Sequence, residues 1–127
     1  MTVQSLDHVN IRVPDPAATK TFLIDVLEMS VSSQRESWIS DADGRPIIHL
    51  GSIEKPYPTD DWHPPSAGGD SGPVHHVALN CADYGKVAAR LEARKVDHFT
   101  SAQPGIALRQ IFVRIPGGVM LELNFWN

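Results

Sequence analysis

The sequence predicts an α+β fold of two tandem β-α-β-β-β modules. Three observations carry this: an internal repeat, a helix-start signal after the first strand of each copy, and a tight turn before the last strand. Leu6-Asp7-His8-Val9-Asn10-Ile11-Arg12-Val13-Pro14-Asp15 aligns with Val74-His75-His76-Val77-Ala78-Leu79-Asn80-Cys81-Ala82-Asp83 at an offset of 68. Histidine falls on histidine, valine on valine and aspartate on aspartate. Both segments alternate as a half-buried strand does.

A helix follows in each half. In the first, Asp15 can cap and Pro16 takes the first helical position, where a missing N–H costs nothing. Ala17 to Met29 then sets Phe22, Leu23, Val26 and Leu27 along one stripe. In the second, Asp83 can cap, and Val87, Ala88 and Leu91 form the stripe ahead of Arg94 and Lys95.

The halves also end alike. Gly44-Arg45-Pro46-Ile47-Ile48-His49-Leu50 aligns with Gly117-Gly118-Val119-Met120-Leu121-Glu122-Leu123 at an offset of 73, so the second half is five residues longer between landmarks. Each is a turn followed by an apolar strand with one metal-capable side chain. Further strands are expected at Ser37 to Ser40 and Gln110 to Ile115, with third ones near Val31 and His98. The expectation is one domain, 1–127, with modules of about 1–52 and 74–127 joined by a loop over 53–73 that is rich in proline and glycine. A connection this long is usually functional or mobile. Trp62 in it is expected to anchor the loop to the core, with capping a pocket as the alternative.

A chain of 127 residues can bury a real core, and its net charge of −4, from 15 acidic and 11 basic side chains, gives neither sign dominance. That argues against nucleic acid or an anionic membrane as partner, since both call for a basic face. Cys81 is the lone cysteine, so no intramolecular disulfide is expected. The start of the chain does not read as a signal peptide, and no apolar run is long enough to span a bilayer. The expected location is the cytoplasm.

Strand alternation turns the repeat into geometry. Val9, Ile11 and Val13 should cover the first helix, leaving His8, Asn10 and Arg12 on the other face. Val77, Leu79 and Cys81 should do the same for the second, leaving His76, Ala78 and Asn80. His49 opposes Ile48 and Leu50; Glu122, with Met120, Asn124 and Trp126, opposes Val119, Leu121, Leu123 and Phe125. Gln110, Phe112 and Arg114 fall on the same open face, because Ile111 and Val113 should cover the helix. His8, His49, His76 and Glu122 therefore share the face away from the helices, among polar and large apolar groups, as in a pocket.

A single strand histidine is usually hydrogen-bonded or half-exposed rather than a ligand. Glu122 is harder to explain, because it interrupts an apolar run and a buried carboxylate needs a partner. A metal ion is one such partner; a salt bridge to Arg12 or Arg114 is the plain alternative. His75 is expected to point away from His76. His63 and His98 should face solvent, Asp60 and Asp61 should form a solvated patch, and Tyr84 should pack at the start of its helix.

The strand histidine, the helix with Phe22-Leu23 and Leu27-x-Met29, the second His-Val-Ala-Leu strand and the closing Pro-Gly-Gly-x-x-x-Glu-Leu strand resemble the vicinal oxygen chelate superfamily. This is the glyoxalase, bleomycin-resistance and extradiol-dioxygenase group. The resemblance covers nearly the whole chain. It implies two βαβββ modules whose mixed sheets form a cup around a metal site, and a homodimer as the assembly. It also implies that His8, His49, His76 and Glu122 are the four metal-ligand positions of the glyoxalase I type. Three-ligand members match only His8, His76 and Glu122. The second position is usually Glu or Gln in glyoxalase I, where this chain has His49.

Imidazole-rich ligands suit Zn, Ni, Co or Fe. The leading expectation is a lyase or isomerase that removes a proton next to a carbonyl of a small oxygen-chelating substrate, with Glu122 as base. Asn10, Arg12, Phe112 and Arg114 are the candidate substrate contacts, with Arg12 and Arg114 placed to hold a carboxylate. The alternatives are an Fe(II) ring-cleaving dioxygenase using His8, His76 and Glu122, and a non-catalytic antibiotic-binding protein.

Overall fold

The computed structural model describes residues 1–66 and 72–126; Gly68 and Gly69 of the expected linker lie outside them. The chain divides into two compact units, Met1–Pro65 and Ser66–Asn127. The division falls inside the segment expected to join the modules.

The first unit runs β1 (Val9–Val13), α1 (Pro16–Leu27), β2 (Ser30–Val31), β3 (Trp38–Ser40) and β4 (Pro46–Ser52). Its sheet has the order β1-β4-β3-β2, with β1 parallel to β4 and the other pairs antiparallel. Asp15 caps α1 as expected, its Oδ1 accepting from the Ala18 N–H at 3.1 Å. The helix stops two residues short of Met29. Glu28 takes a left-handed conformation, φ 56°, and the N–H groups of Glu28 and Met29 close onto the carbonyls of Ile24 and Leu23. The buried stripe is Phe22, Leu23 and Val26, packed over Ile11, Val13, Ile48 and Leu50; Leu27 is only half-buried.

The second unit repeats the plan: β5 (Val77–Cys81), α2 (Tyr84–Ala93), β6 (His98–Gln103), β7 (Leu108–Arg114) and β8 (Met120–Trp126). The order β5-β8-β7-β6 and the parallel β5/β8 pair copy the first sheet. Val87, Leu91, Ile111, Val113, Leu121, Leu123 and Phe125 make its core. Tyr84 packs as expected, its ring edge-on to Phe125 at 5.2 Å with the Arg109 guanidinium 4.1 Å from its centroid. Asp83 departs from expectation. It stands at the N-cap with φ 62° and makes no side-chain cap bond; its carboxylate instead faces Lys86 Nζ at 3.8 Å.

Repeat and register agree. Asn10 pairs with His49 and Ala78 pairs with Glu122, so the two offsets read from the sequence describe the same strand pairing twice. Among the described residues, no helix is long and apolar enough to cross a membrane.

Cys81 ends β5 on the helix side, and burial pushes its thiol up to about 11 from an ordinary 9.0. A thiolate is the reactive form. Alkylation by iodoacetamide at pH 8 is therefore expected to be much slower in native protein than in urea, with the native rate rising only toward pH 11. Because the folded pKa is the higher one, the thiol's contribution to stability is intact below pH 9 and is lost as pH climbs through 11. Equal native and denatured rates at pH 8 would contradict this.

Candidate metal centre

Each unit brings half of the expected quartet together. In the first, His8 lies just ahead of β1 and His49 in the middle of β4. Asn10 and His49 are directly paired, so His8, one pleat earlier on the same face, reaches the His49 ring. The rings stack at 3.7 Å with 17° between planes, and Trp38 covers the other side of His49 at 4.3 Å and 4°. Desolvation in this sandwich lowers the His49 pKa, and the adjacent His8 lowers it further.

In the second unit, His76 lies just ahead of β5 and Glu122 in the middle of β8. His76 Nε2 stands 3.7 Å from Glu122 Oε1. Two atoms that each bind one ion at about 2.0–2.1 Å lie no more than ~4.2 Å apart, so this pair fits a shared divalent ion. Glu122 Oε2 accepts from Asn124 Nδ2 at 3.0 Å, Asn124 Oδ1 accepts from Gln110 Nε2 at 3.0 Å, and Gln110 Oε1 accepts from Gln103 Nε2 at 2.9 Å. This amide ladder leaves Oε1 as the oxygen turned toward His76. Neither Arg12 nor Arg114 is the ion-pair partner of Glu122 among the described residues. Nor does any group of three metal-capable side chains occur among them; each unit holds two.

Phe112 sits opposite Glu122 in the β7/β8 register, its ring 6.5 Å from His76 and 6.2 Å from Phe99. Phe99, Phe112, Arg114 and Met120 line a hollow of about 270 Å³ together with Asp97, His98 and Val113. Arg114 is exposed there and carries an unpaired guanidinium among the described residues. Phe112 thus lies beside Glu122, as alternation required, with Arg114 two residues further along β7, opposite Met120; Glu122 and His76 are not among the residues that line the hollow.

Arg12 does not present a free guanidinium. It is only 12% exposed and is paired with Asp60, and its other donors reach the carbonyls of Ser52 (3.3 Å) and Lys55 (2.7 Å). The Tyr57 ring lies 3.9 Å beneath it, and the Tyr57 hydroxyl donates to Asn10 Oδ1 at 3.4 Å. Arg12 and Asn10 are therefore engaged in anchoring the loop after β4. Asp60 is correspondingly not part of a solvated patch; the Arg12 hydrogen bond first, and the Tyr57 N–H second, hold its carboxyl below the ordinary range. Trp62, expected to anchor this loop, is 87% exposed; Tyr57, Asp60 and Arg12 do that work.

Gly51 makes the anchor possible, because a Cβ there would collide with the Tyr57 hydroxyl. Gly51→Ala is expected to release the loop and raise proteolytic cleavage within 53–66, with the cores left folded. Acid should act alike. The Asp60 pKa is depressed, so its stabilising effect is present above the ordinary value of 3.8 and is lost as pH falls through the lower folded value. Unchanged cleavage in Gly51→Ala would refute the anchor.

Two of the three remaining histidines depart from expectation. His63 is exposed as expected. His98 is not solvent-facing: its side chain is 14% exposed, Nδ1 meets the Val96 carbonyl at 2.8 Å and Nε2 faces Glu92 at 3.8 Å. His75 does not turn away from His76; the two Nδ1 atoms are 2.9 Å apart. His8 has the matching contact, its Nδ1 lying 2.5 Å from Asp7 Oδ2. The offset of 68 that pairs His8 with His76 also pairs Asp7 with His75, which was the signal available for both.

Two four-stranded sheets of identical order, each with a parallel first pair and a paired set of metal-capable side chains on the open face, define a βαβββ-repeat protein. The Glyoxalase/Bleomycin resistance protein/Dioxygenase superfamily profile matches residues 5–123, and the chain belongs to that superfamily. It is 30% identical over 129 residues to the uncharacterized protein YaeR of Escherichia coli K12, covering 95% of both. Its fold is similar to that of the fosfomycin resistance protein FosX from Listeria monocytogenes (TM-score 0.69, 14% identity, 99% of this chain and 96% of that one). It is likewise similar to lactoylglutathione lyase from Agrobacterium tumefaciens (TM-score 0.66, 16% identity, 98% and 96%).

Proposed function

We propose that this chain is a divalent-metal enzyme of the glyoxalase-like type, with His8, His49, His76 and Glu122 as ligands and a small oxygen-chelating molecule as substrate. The His76–Glu122 pair carries this reading: a carboxylate in the middle of an apolar strand with the His76 Nε2 3.7 Å from its Oε1, a spacing that one shared ion spans. A bound divalent ion would supply Lewis-acid polarisation of a substrate carbonyl. Three imidazoles and a carboxylate suit Zn, Ni, Co or Fe. Glu122 is the base that takes the proton next to that carbonyl, with Asn124 fixing its other oxygen. Phe112 lines the substrate's apolar part, and Arg114 pairs with a substrate carboxylate.

The His49 sandwich favours a second reading. A ring held face to face between Trp38 and His8 has to turn before its in-plane lone pair can join an ion bound by His8. With His49 outside the ligand set, His8, His76 and Glu122 form the facial triad of an Fe(II) ring-cleaving dioxygenase. Deuterium wash-in separates the two. In D2O, the nickel- or cobalt-loaded protein should exchange the proton next to the carbonyl of small hydroxycarbonyl compounds, and Glu122→Gln should not. Oxygen uptake with catechols by the iron-loaded protein, without such exchange, would overturn the first reading in favour of the second.

A further inference from the structure

The histidines that open β1 and β5 share a feature the ligand set does not require. Each has its Nδ1 occupied by the side chain of the residue before it: His8 by Asp7 at 2.5 Å, and His76 by His75 at 2.9 Å. Both partners are exposed, and neither contributes to a core. We propose that Asp7 and His75 are positioning residues that hold the proton on Nδ1 of His8 and His76, leaving Nε2 as the metal-binding lone pair. This rests on the metal reading above and adds two residues to it.

A neutral imidazole carries one N–H, and the bond made by one nitrogen decides which lone pair is left on the other. An aspartate only accepts, so it fixes the proton of His8 on Nδ1. The His75–His76 contact admits a proton on either Nδ1; in the direction proposed, His75 accepts in its Nε2–H tautomer and the His76 Nδ1–H points at it. His76 Nε2 is thereby left unprotonated where it faces Glu122 at 3.7 Å, too long for a hydrogen bond. The two halves solve one problem with different residues at one repeat position. Partners of this kind orient a ligating histidine, and their loss typically weakens metal binding by ~10–100-fold.

The test is a cobalt(II) titration of the metal-free full chain, followed by the visible absorption of the bound ion, with nitrogen-15 NMR of the histidine tautomers before metal is added. Asp7→Ala and His75→Ala are each expected to weaken cobalt binding by ~10–100-fold with unchanged thermal melting. His75→Asp, which copies the Asp7–His8 pair into the second unit, is expected to restore it. The metal-free wild type should show His8 and His76 protonated on Nδ1, and the matching alanine variant should lose that preference. Unchanged cobalt affinity in both alanine variants overturns the proposal while leaving the metal reading intact. Failure of wild type to bind cobalt, or undiminished binding by both His8→Ala and His76→Ala, overturns the metal reading and this proposal with it.

Discussion

Replacing His76 or Glu122 by alanine is expected to weaken divalent-metal binding by more than the ~10–100-fold that an outer-shell change costs, and to abolish any metal-dependent turnover. The two side chains face each other at 3.7 Å, His76 just ahead of β5 and Glu122 on β8, which pairs with β5, so each removal leaves the other as a lone ligand of its unit. Glu122→Ala has a second consequence. It leaves the half-buried Asn124 side-chain N–H without the acceptor that ends the amide ladder. An unsatisfied polar group in such a place costs stability, so Glu122→Ala should melt lower than His76→Ala. Glu122→Gln keeps an acceptor for Asn124 and should recover the melting temperature without recovering metal. Isothermal titration and thermal melts of the three variants measure both effects. A Glu122→Ala variant that binds metal as wild type does would contradict the assignment.

The second large effect is on folding. Leu121→Ala is expected to destabilise the second unit by ~2–5 kcal/mol, as a large-to-small change at a closed core site does. Leu121 is fully buried on β8, an inner strand that pairs with β5 on one side and β7 on the other. It flanks Glu122, so loss of packing there also loosens the strand that aims the carboxylate. Met120→Ala, one residue away on the half-buried open face, should cost less. Urea unfolding of the two variants checks the order; a cost at Met120 equal to that at Leu121 would contradict the packing of β8 by its helix-facing side alone.

The repeat is why so much of the fold was legible. Two offsets, 68 and 73, predicted strand partners that the registers Asn10–His49 and Ala78–Glu122 match. Alternation along β7 and β8 put Gln110, Phe112 and Asn124 on the side of Glu122, and the amide ladder follows from that placement. What escaped depends on contacts that periodicity does not encode. Arg12 and Asp60 are 48 residues apart, and only the path of the loop after β4 brings them together. Asp83 has the residue type of a cap, but its left-handed backbone turns the carboxylate away from the helix N–H groups. His75 sits on the opposite face by strict alternation, yet both it and His76 precede the first paired residue of β5, where the alternation rule no longer holds.

His49 carries the decision between chemistries. Its place in the register is that of Glu122 in the other unit, which argues for a ligand, while its stacking between Trp38 and His8 argues for a ring held in place for another purpose. The most direct test of the metal centre is the metal content of folded wild type and His49→Ala, both purified at neutral pH without chelator. Stoichiometric divalent metal in wild type and a clear loss in His49→Ala is the predicted result. Well-folded wild type that takes up no divalent metal would contradict the account at its centre.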